Sequence, residues 1–432
     1  MGFWADFFLE QKEKENSSLY SRSKVLSKAK KMVGNRLTIN DDEIKKLKGP
    51  IVFIASYKSH IDTYAIALAL KDYKIKYVVG IEELPDRFRG PWKDLGYISR
   101  KKKDLSIQKN NILYFPGRIG SIVGTNTSIN YLYEHLYFSV SYYHNHIVLI
   151  TTNGGYLSNP IWSDGHINSV PIEVNFKYIG TYDDSSASDK AIRNSINSGL
   201  EYNDYKYQLD KGIKIEYPKR AVGLHRALYQ CINCGTKYKM KSMDSTLECE
   251  ECHSKWKLSS LGELTQDDLM TNISIPDWYE WQRLECQKYV KELSLTKRSY
   301  KIKRNYKVHV KINFQDAKEI YLGYAELFLN NQEFTLYFNE SSLVDKICNN
   351  IKLENYDKIY PHARNDNKIL RRKSKSFHFP HNTLDTIQIV LNNTIDESKG
   401  IILSNDNCTF FVYCDDEDFE PAELQLLTET YD

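Results

Sequence analysis

The sequence predicts a layered α/β domain, followed by a small four-cysteine insert and an antiparallel β domain. Three observations carry this reading. Between about residues 46 and 222, short apolar runs alternate with stretches of helical spacing. Four cysteines then fall in two close pairs within Cys231–Cys252. Beyond about residue 298 the texture changes to apolar and polar residues in alternation, as in YKVHVKINF over Tyr306–Phe314.

In chain order, residues 1–45 are expected to form an N-terminal helical segment. Within 46–222 the strand candidates are Ile51–Ala55, Tyr77–Gly80, Ile112–Phe115, Ile147–Thr151 and Ser169–Asn175. The longest helix between them is expected at Thr127–Tyr143, where Ile129, Leu132, Leu136 and Val140 recur at helical spacing. Asp184–Asp189 is polar and reads as a surface loop. The insert occupies 223–262, and a tryptophan-rich linker follows over 263–297. Its helix, Asp277–Leu293, has Pro276 near the first turn, where a missing amide proton costs nothing. Residues 298–432 form the β domain, with strands at Tyr306–Phe314, Ile320–Leu329, Glu333–Phe338, Thr386–Leu391 and Phe410–Tyr413. Asn330–Asn331 and Asn392–Asn393 supply turn chemistry, and Pro421–Tyr431 is a closing helix. No repeat of fixed period is present.

Composition limits the function classes. At 432 residues, a prior of roughly 150 residues per domain gives two to four units. Hydrophobic residues at 41% and charged residues at 27% suit a globular protein, and no apolar run approaches the ~20 residues of a spanning helix. A net charge of +3 is too mild for a nucleic-acid protein, so no nucleic acid is expected as partner. The runs Lys101–Lys103 and Arg371–Lys373 read as solvated faces. The start MGFWADFFLEQKEK lacks the features of a secretory signal, which predicts a cytoplasmic protein. Phe3, Trp4, Phe7, Phe8 and Leu9 precede the basic segment Lys24–Lys31, a pattern suited to peripheral contact at the inner membrane face. The alternative is a first helix packed on the core.

Eight cysteines, four of them in close pairs, read as metal ligation in a reducing compartment rather than as a disulfide framework. Cys231-x-x-Cys234 and Cys249-x-x-Cys252 are separated by fourteen residues and supply four thiolates from two tight knuckles. That is the ligand set of a closed tetrahedral structural zinc site, a zinc ribbon. Gly235 suits the turn after the second cysteine, Tyr238 and Trp256 suit a small core, and His253 stands beside the fourth cysteine as a neighbour rather than a ligand. Cys286, Cys348, Cys408 and Cys414 are scattered and read as unligated. Zinc ribbons also occur in adaptors for protein or nucleic acid, but basic residues interleaved with aromatics are sparse around this one. Trp278 and Trp281, three apart, share a helix face that reads as core, with a membrane-interface role as the alternative.

The stretch IVFIASYKSHIDTYAIALAL over Ile51–Leu70 runs from an apolar strand through a polar loop into an apolar helix. It resembles the first motif of the phospholipid/glycerol acyltransferases, the family of the 1-acylglycerol-3-phosphate acyltransferases, which reads H-x-x-x-x-D. Here the frame is Tyr57, Lys58, Ser59, His60, Ile61, Asp62, with tyrosine in the histidine's place. A phenol titrates near pH ~10 and accepts protons poorly at neutral pH. The resemblance covers roughly Gly49–Asn175. Phe115-Pro116-Gly117-Arg118 fits the end of the family's second motif and makes Arg118 the candidate for phosphate contact. Asn153-Gly154-Gly155-Tyr156 stands where the third motif's E-G-T-R would be, and Val170-Pro171-Ile172 resembles a short V-P-V/I element that ends the core. The four-cysteine ribbon followed by PDWYEW at Pro276–Trp281 is similar to long bacterial acyltransferase-related proteins.

The resemblance implies transfer of a fatty-acyl group from acyl-CoA or acyl-carrier protein to a lysophospholipid or related glycerol-type hydroxyl acceptor. The catalytic set would be His60, Asp62 and Tyr57, with His60 as relocated base, and Arg118, Asn153, Gly154 and Gly155 would bind substrate. Catalysis would need no metal. Two alternatives stand beside it. In one, Tyr57 is a packing loop residue and His60 a solvent-facing or capping one. In the other, the fold is an inactive pocket or scaffold that binds lipid or acyl thioester without reacting.

Overall fold

The computed structural model describes residues 18–55, 58–79, 97–99, 111–114, 146–181, 186–266, 271–295, 304–314, 320–330, 333–338, 376–380, 388–390, 399–404 and 408–429. The helix expected at Thr127–Tyr143, and the candidates Tyr57 and Arg118, lie outside them. The chain divides into two compact units, residues 1–161 with 166–215, and 162–165 with 216–432.

The first unit begins with α1 (Ser18–Val33), a short turn at Gly34–Arg36 and β1 (Leu37–Asn40), then β2 (Ile51–Ala55) and α2 (His60–Ala69). Next come β3 (Ile75–Val79), β4 (Tyr97–Ser99), β5 (Asn111–Tyr114), β6 (His146–Asn153) and α3 (Gly155–Ser158). The unit closes with β7 (Ile172–Thr181), α4 (Ser186–Gly199) and α5 (Asp204–Asp210). The described strands form a sheet in the order β1-β7-β6-β2-β5-β3-β4. β2 pairs in parallel with both β6 and β5, whereas β6 pairs antiparallel with β7. Every residue of β2 is buried, as expected of a parallel strand covered on both faces.

The basic segment Lys24–Lys31 lies on α1, whose Val25, Ala29 and Val33 belong to one core cluster with Ile61, Tyr64, Ala65 and Leu68 of α2. Arg22 closes the far end of α2 by donating to the carbonyls of Leu70, Lys71 and Tyr73 at 3.3, 3.1 and 2.7 Å. Residues 186–189 differ from the loop expected there, because they open α4. β7 starts at Ile172, after Pro171, where a strand from Ser169 was expected.

The second unit holds two antiparallel sheets. The smaller comprises β8 (Met240–Met243), β9 (Thr246–Cys249), β10 (Lys255–Leu258), β11 (Glu263–Gln266) and β12 (Thr271–Ser274), side by side in chain order. α6 (Ile275–Leu295) follows, and Ser274 caps it by accepting from the Asp277 amide at 3.1 Å. Trp278 is buried, with its ring edge-on to Trp256 at 4.8 Å, and its Nε1 donates to the Gln230 carbonyl at 2.9 Å.

The larger sheet contains β13 (Arg304–Phe314), β14 (Ile320–Leu329), β15 (Glu333–Tyr337), β16 (Ser376–Pro380), β17 (Gln388–Val390), β18 (Lys399–Ser404) and β19 (Cys408–Cys414). Its order is β16-β15-β14-β13-β19-β18-β17. Phe410 in β19 meets Phe377 and Phe379 of β16 at ring distances of 4.9 and 5.3 Å, although three strands stand between them. The sheet therefore curls until its flanks meet, and these rings fill the enclosed core. α7 (Pro421–Glu429) ends the described chain. Among the described residues no helix is long and apolar enough to cross a membrane.

Candidate functional site

In the first unit, β2 and β6 lie side by side and point the same way, so the segments following them emerge together at one edge of the sheet. Their onward connections diverge, since β2 leads through α2 toward β3 on one side while β6 turns back into β7 on the other. In α/β sheets that arrangement opens a crevice beyond the strand ends, where ligands bind.

The loop after β2 is fixed by its own helix start. Ser59 is the N-cap of α2, its hydroxyl accepting from the Ile61 amide at 3.3 Å. Asp62, at the third helical position, reaches back with Oδ2 to accept from the amides of Lys58 and Ser59 at 2.8 and 2.9 Å. Asp62 is fully buried. Burial pushes its carboxyl up to about 6, with Lys58 pulling the other way and Asp204 adding to the rise. His60 is the first residue of α2 and half-buried. Two backbone amides of the helix start thus hold Oδ2 of this aspartate.

The loop after β6 is the glycine turn. Gly154 adopts φ +82°, in the left-handed region, and a Cβ there would stand 2.0 Å from the Pro171 carbonyl oxygen. At Gly155 a Cβ would stand 1.9 Å from Asp62 Oδ1. The turn and the first-motif aspartate are thus in direct contact. Gly155→Ala and Gly154→Ala are each expected to lower stability by about 1–3 kcal/mol through overpacking, by urea denaturation. Gly34→Ala, with only Lys30 Cβ at 3.9 Å, should be near neutral.

A third segment completes the cluster. Asn203 caps α5, and Asp204 opens it. The Asp204 carboxylate accepts from Lys58 Nζ at 3.0 Å with one oxygen and from the Gly154 amide at 3.4 Å with the other. The side chains of Lys58 and Asp204 are 1% and 0% exposed, and the Lys58 ammonium lies 4.3 Å from the centre of the Tyr202 ring. Burial raises the Asp204 carboxyl, against the attraction of Lys58. Asp204 therefore ties the first-motif loop to the glycine turn. Sequence reasoning missed Lys58, Asp204 and also Arg36, whose guanidinium donates to Met32, Asn168 and Val170 carbonyls and to the Ser158 hydroxyl. Lys58 is remote in sequence from Asp204, as Arg36 is from Ser158, Asn168 and Val170, and no local pattern announces these pairings.

In the second unit the four cysteines come together. Their sulfurs lie within 4.8 Å of one another, with Cys231 to Cys252 and Cys234 to Cys249 each at 3.7 Å. A disulfide would need about 2.0 Å. A tetrahedron with metal–sulfur bonds of about 2.3 Å has edges of about 3.8 Å, so the four thiols fit a tetrathiolate metal centre. Cys231 and Cys249 are buried, and burial raises both thiols, which ligation would reverse by deprotonating them.

The two knuckles share one geometry. Gly235 donates to the Cys231 carbonyl and His253 to that of Cys249, both at 2.9 Å, and both residues are left-handed at φ +75° and +57°. His253 is the counterpart of Gly235, a turn residue. His253→Gly is expected to raise thermal stability by about 1 kcal/mol by removing Cβ strain, with metal content unchanged.

No family model matches the chain, and no curated protein matches it. Among solved structures the chain is similar to the 1-acyl-sn-glycerophosphate acyltransferase PlsC from Thermotoga maritima, at 15% identity over 46% of this chain and 88% of that one, with a TM-score of 0.30. A likeness that slight leaves the chemistry of the site to be judged from the residues themselves.

Proposed function

We propose that the chain is an acyltransferase-like protein that engages an acyl thioester, on CoA or acyl-carrier protein, together with a lysophospholipid or related glycerol-type acceptor. The supporting observation is the contact between Asp62, in the aspartate position of the H-x-x-x-x-D frame, and Gly155, in the turn that takes the place of the third motif. Two loops that resemble family motifs, some ninety residues apart in the chain, meet beyond the ends of parallel strands. In transfer, the acceptor hydroxyl oxygen bonds to the thioester carbonyl carbon, the hydroxyl proton passes to a base, and the thiolate leaves and takes up a proton. His60 is the base in this reading, and Asn153, Gly154, Gly155 and Arg118 form the substrate surface. The four cysteines hold a structural zinc that takes no part in the chemistry.

A second reading is favoured by Asp62 Oδ2, whose two hydrogen bonds are spent on amides of the helix cap. It makes the site a pocket that binds lipid or acyl thioester without reacting. Acyl transfer from a radiolabelled acyl thioester to a panel of lysophospholipids separates the two. Activity in the natural protein that disappears in His60→Ala establishes the enzyme. Silence in the natural protein, with activity gained in Tyr57→His, establishes an intact pocket without its base.

A further inference from the structure

The first cysteine knuckle leads directly into a buried ionic cluster that takes no part in ligation. Glu423, in the first turn of α7, has 1% of its side chain exposed. Its Oε1 accepts from Lys237 Nζ at 2.7 Å and from Arg304 Nη2 at 3.1 Å. Its Oε2 accepts from Arg304 Nη1 at 2.6 Å and from the Tyr238 hydroxyl. Lys237 and Tyr238 stand three and four residues beyond Cys234, and Arg304 opens β13. All of these residues belong to the second unit. Burial alone would raise the Glu423 carboxyl, but Arg304 and Lys237 outweigh it and hold the group at about 2.

Tyr238 is placed by the knuckle. It sits at φ +62°, a conformation that a bulky side chain adopts only when its surroundings impose it. The surroundings here are the Tyr229 carbonyl, which accepts from its amide at 2.9 Å, and the Tyr229 ring stacked on its own at 6.3 Å. Upstream, the Cys231 amide donates to the Thr236 carbonyl at 2.9 Å, so residues 231–238 fold back as one turn around the thiols. Releasing the thiols loosens that turn, and with it half of the donors on a buried carboxylate. A buried charge that loses its donors is strongly destabilising.

We propose that Glu423 is a latch through which metal ligation at the four cysteines is transmitted to β13 and α7. Metal binding fixes the turn that carries Lys237 and Tyr238, and these two complete the cage that Arg304 begins around Glu423. The C-terminal sheet and its closing helix are then tightened by an ion that none of their residues touches.

Hydrogen exchange followed by mass spectrometry on the full-length protein tests this, with zinc loaded and after chelation, for the natural chain, Glu423→Gln and the double variant Lys237→Met/Tyr238→Phe. In zinc-loaded Glu423→Gln and in the double variant, the amides of 421–429 and 304–314 are expected to exchange about tenfold faster than in the natural protein, while those of 240–258 stay protected. Chelation should accelerate 421–429 in the natural protein and add little in either variant. The proposal is overturned if both zinc-loaded variants exchange like the natural chain over 421–429, or if chelation accelerates that helix equally in all three proteins. The Lys237→Met/Tyr238→Phe arm leaves Arg304 on Glu423, so it reads the latch even where Glu423→Gln folds poorly.

Discussion

Lys58→Met is expected to lower the stability of the first unit by about 3–5 kcal/mol, because it leaves the Asp204 carboxylate buried without its cation. Both side chains are out of water, the Lys58 ammonium rests on the Tyr202 ring, and the second Asp204 oxygen already holds the Gly154 amide. Solvent therefore cannot replace the lost partner. Asp204→Leu should cost a similar amount, since it strands the ammonium in turn. Combining the two should restore most of the loss, as a buried pair replaced by apolar side chains of similar volume is often near neutral. Urea denaturation of the four proteins gives the coupling energy directly. A coupling near zero would mean that each residue acts through its own packing.

The larger effect is expected at the cysteines. Cys231→Ser should release the metal and unfold the five described strands of the smaller sheet, because a structural tetrathiolate site contributes on the order of 10 kcal/mol to folding at neutral pH. That sheet has a small core, chiefly Leu247, Trp256, Leu258 and Leu264, and its two knuckles are single turns that the sulfurs hold together. Chelation of the natural protein should give the same circular-dichroism change, reversed by added zinc. Cys286→Ser, at a buried cysteine outside the cluster, should keep its metal.

How much of this was legible depended on whether the information was local. Ile51–Ala55 announces itself because five consecutive apolar residues suit a strand buried on both faces, and its bounds were read to the residue. Ile320–Leu329 was read as closely. The cysteine spacing named its own cluster. By contrast β16 and β18 were not foreseen, since each is short and takes its place from pairing, β16 with β15 and β18 with β17 and β19. The Lys58–Asp204 pair spans 146 residues, and a lysine in a polar loop reads as solvated until the fold buries it. Asp62 was legible as a motif position but not as a cap, because a carboxylate at the third helical position serves either role. Glu423 was not singled out, because its partners Lys237 and Arg304 are remote in sequence.

The central claim is that the loop after β2 and the turn after β6 form one acyl-thioester site. Hydrogen exchange of the natural protein with and without a non-transferable acyl-CoA analogue tests it most directly, whether or not the protein turns over. Slowed exchange of residues 58–62 and 153–157 together, at the same analogue concentration, is the predicted result. No slowing in either segment, or slowing in one alone, would contradict it.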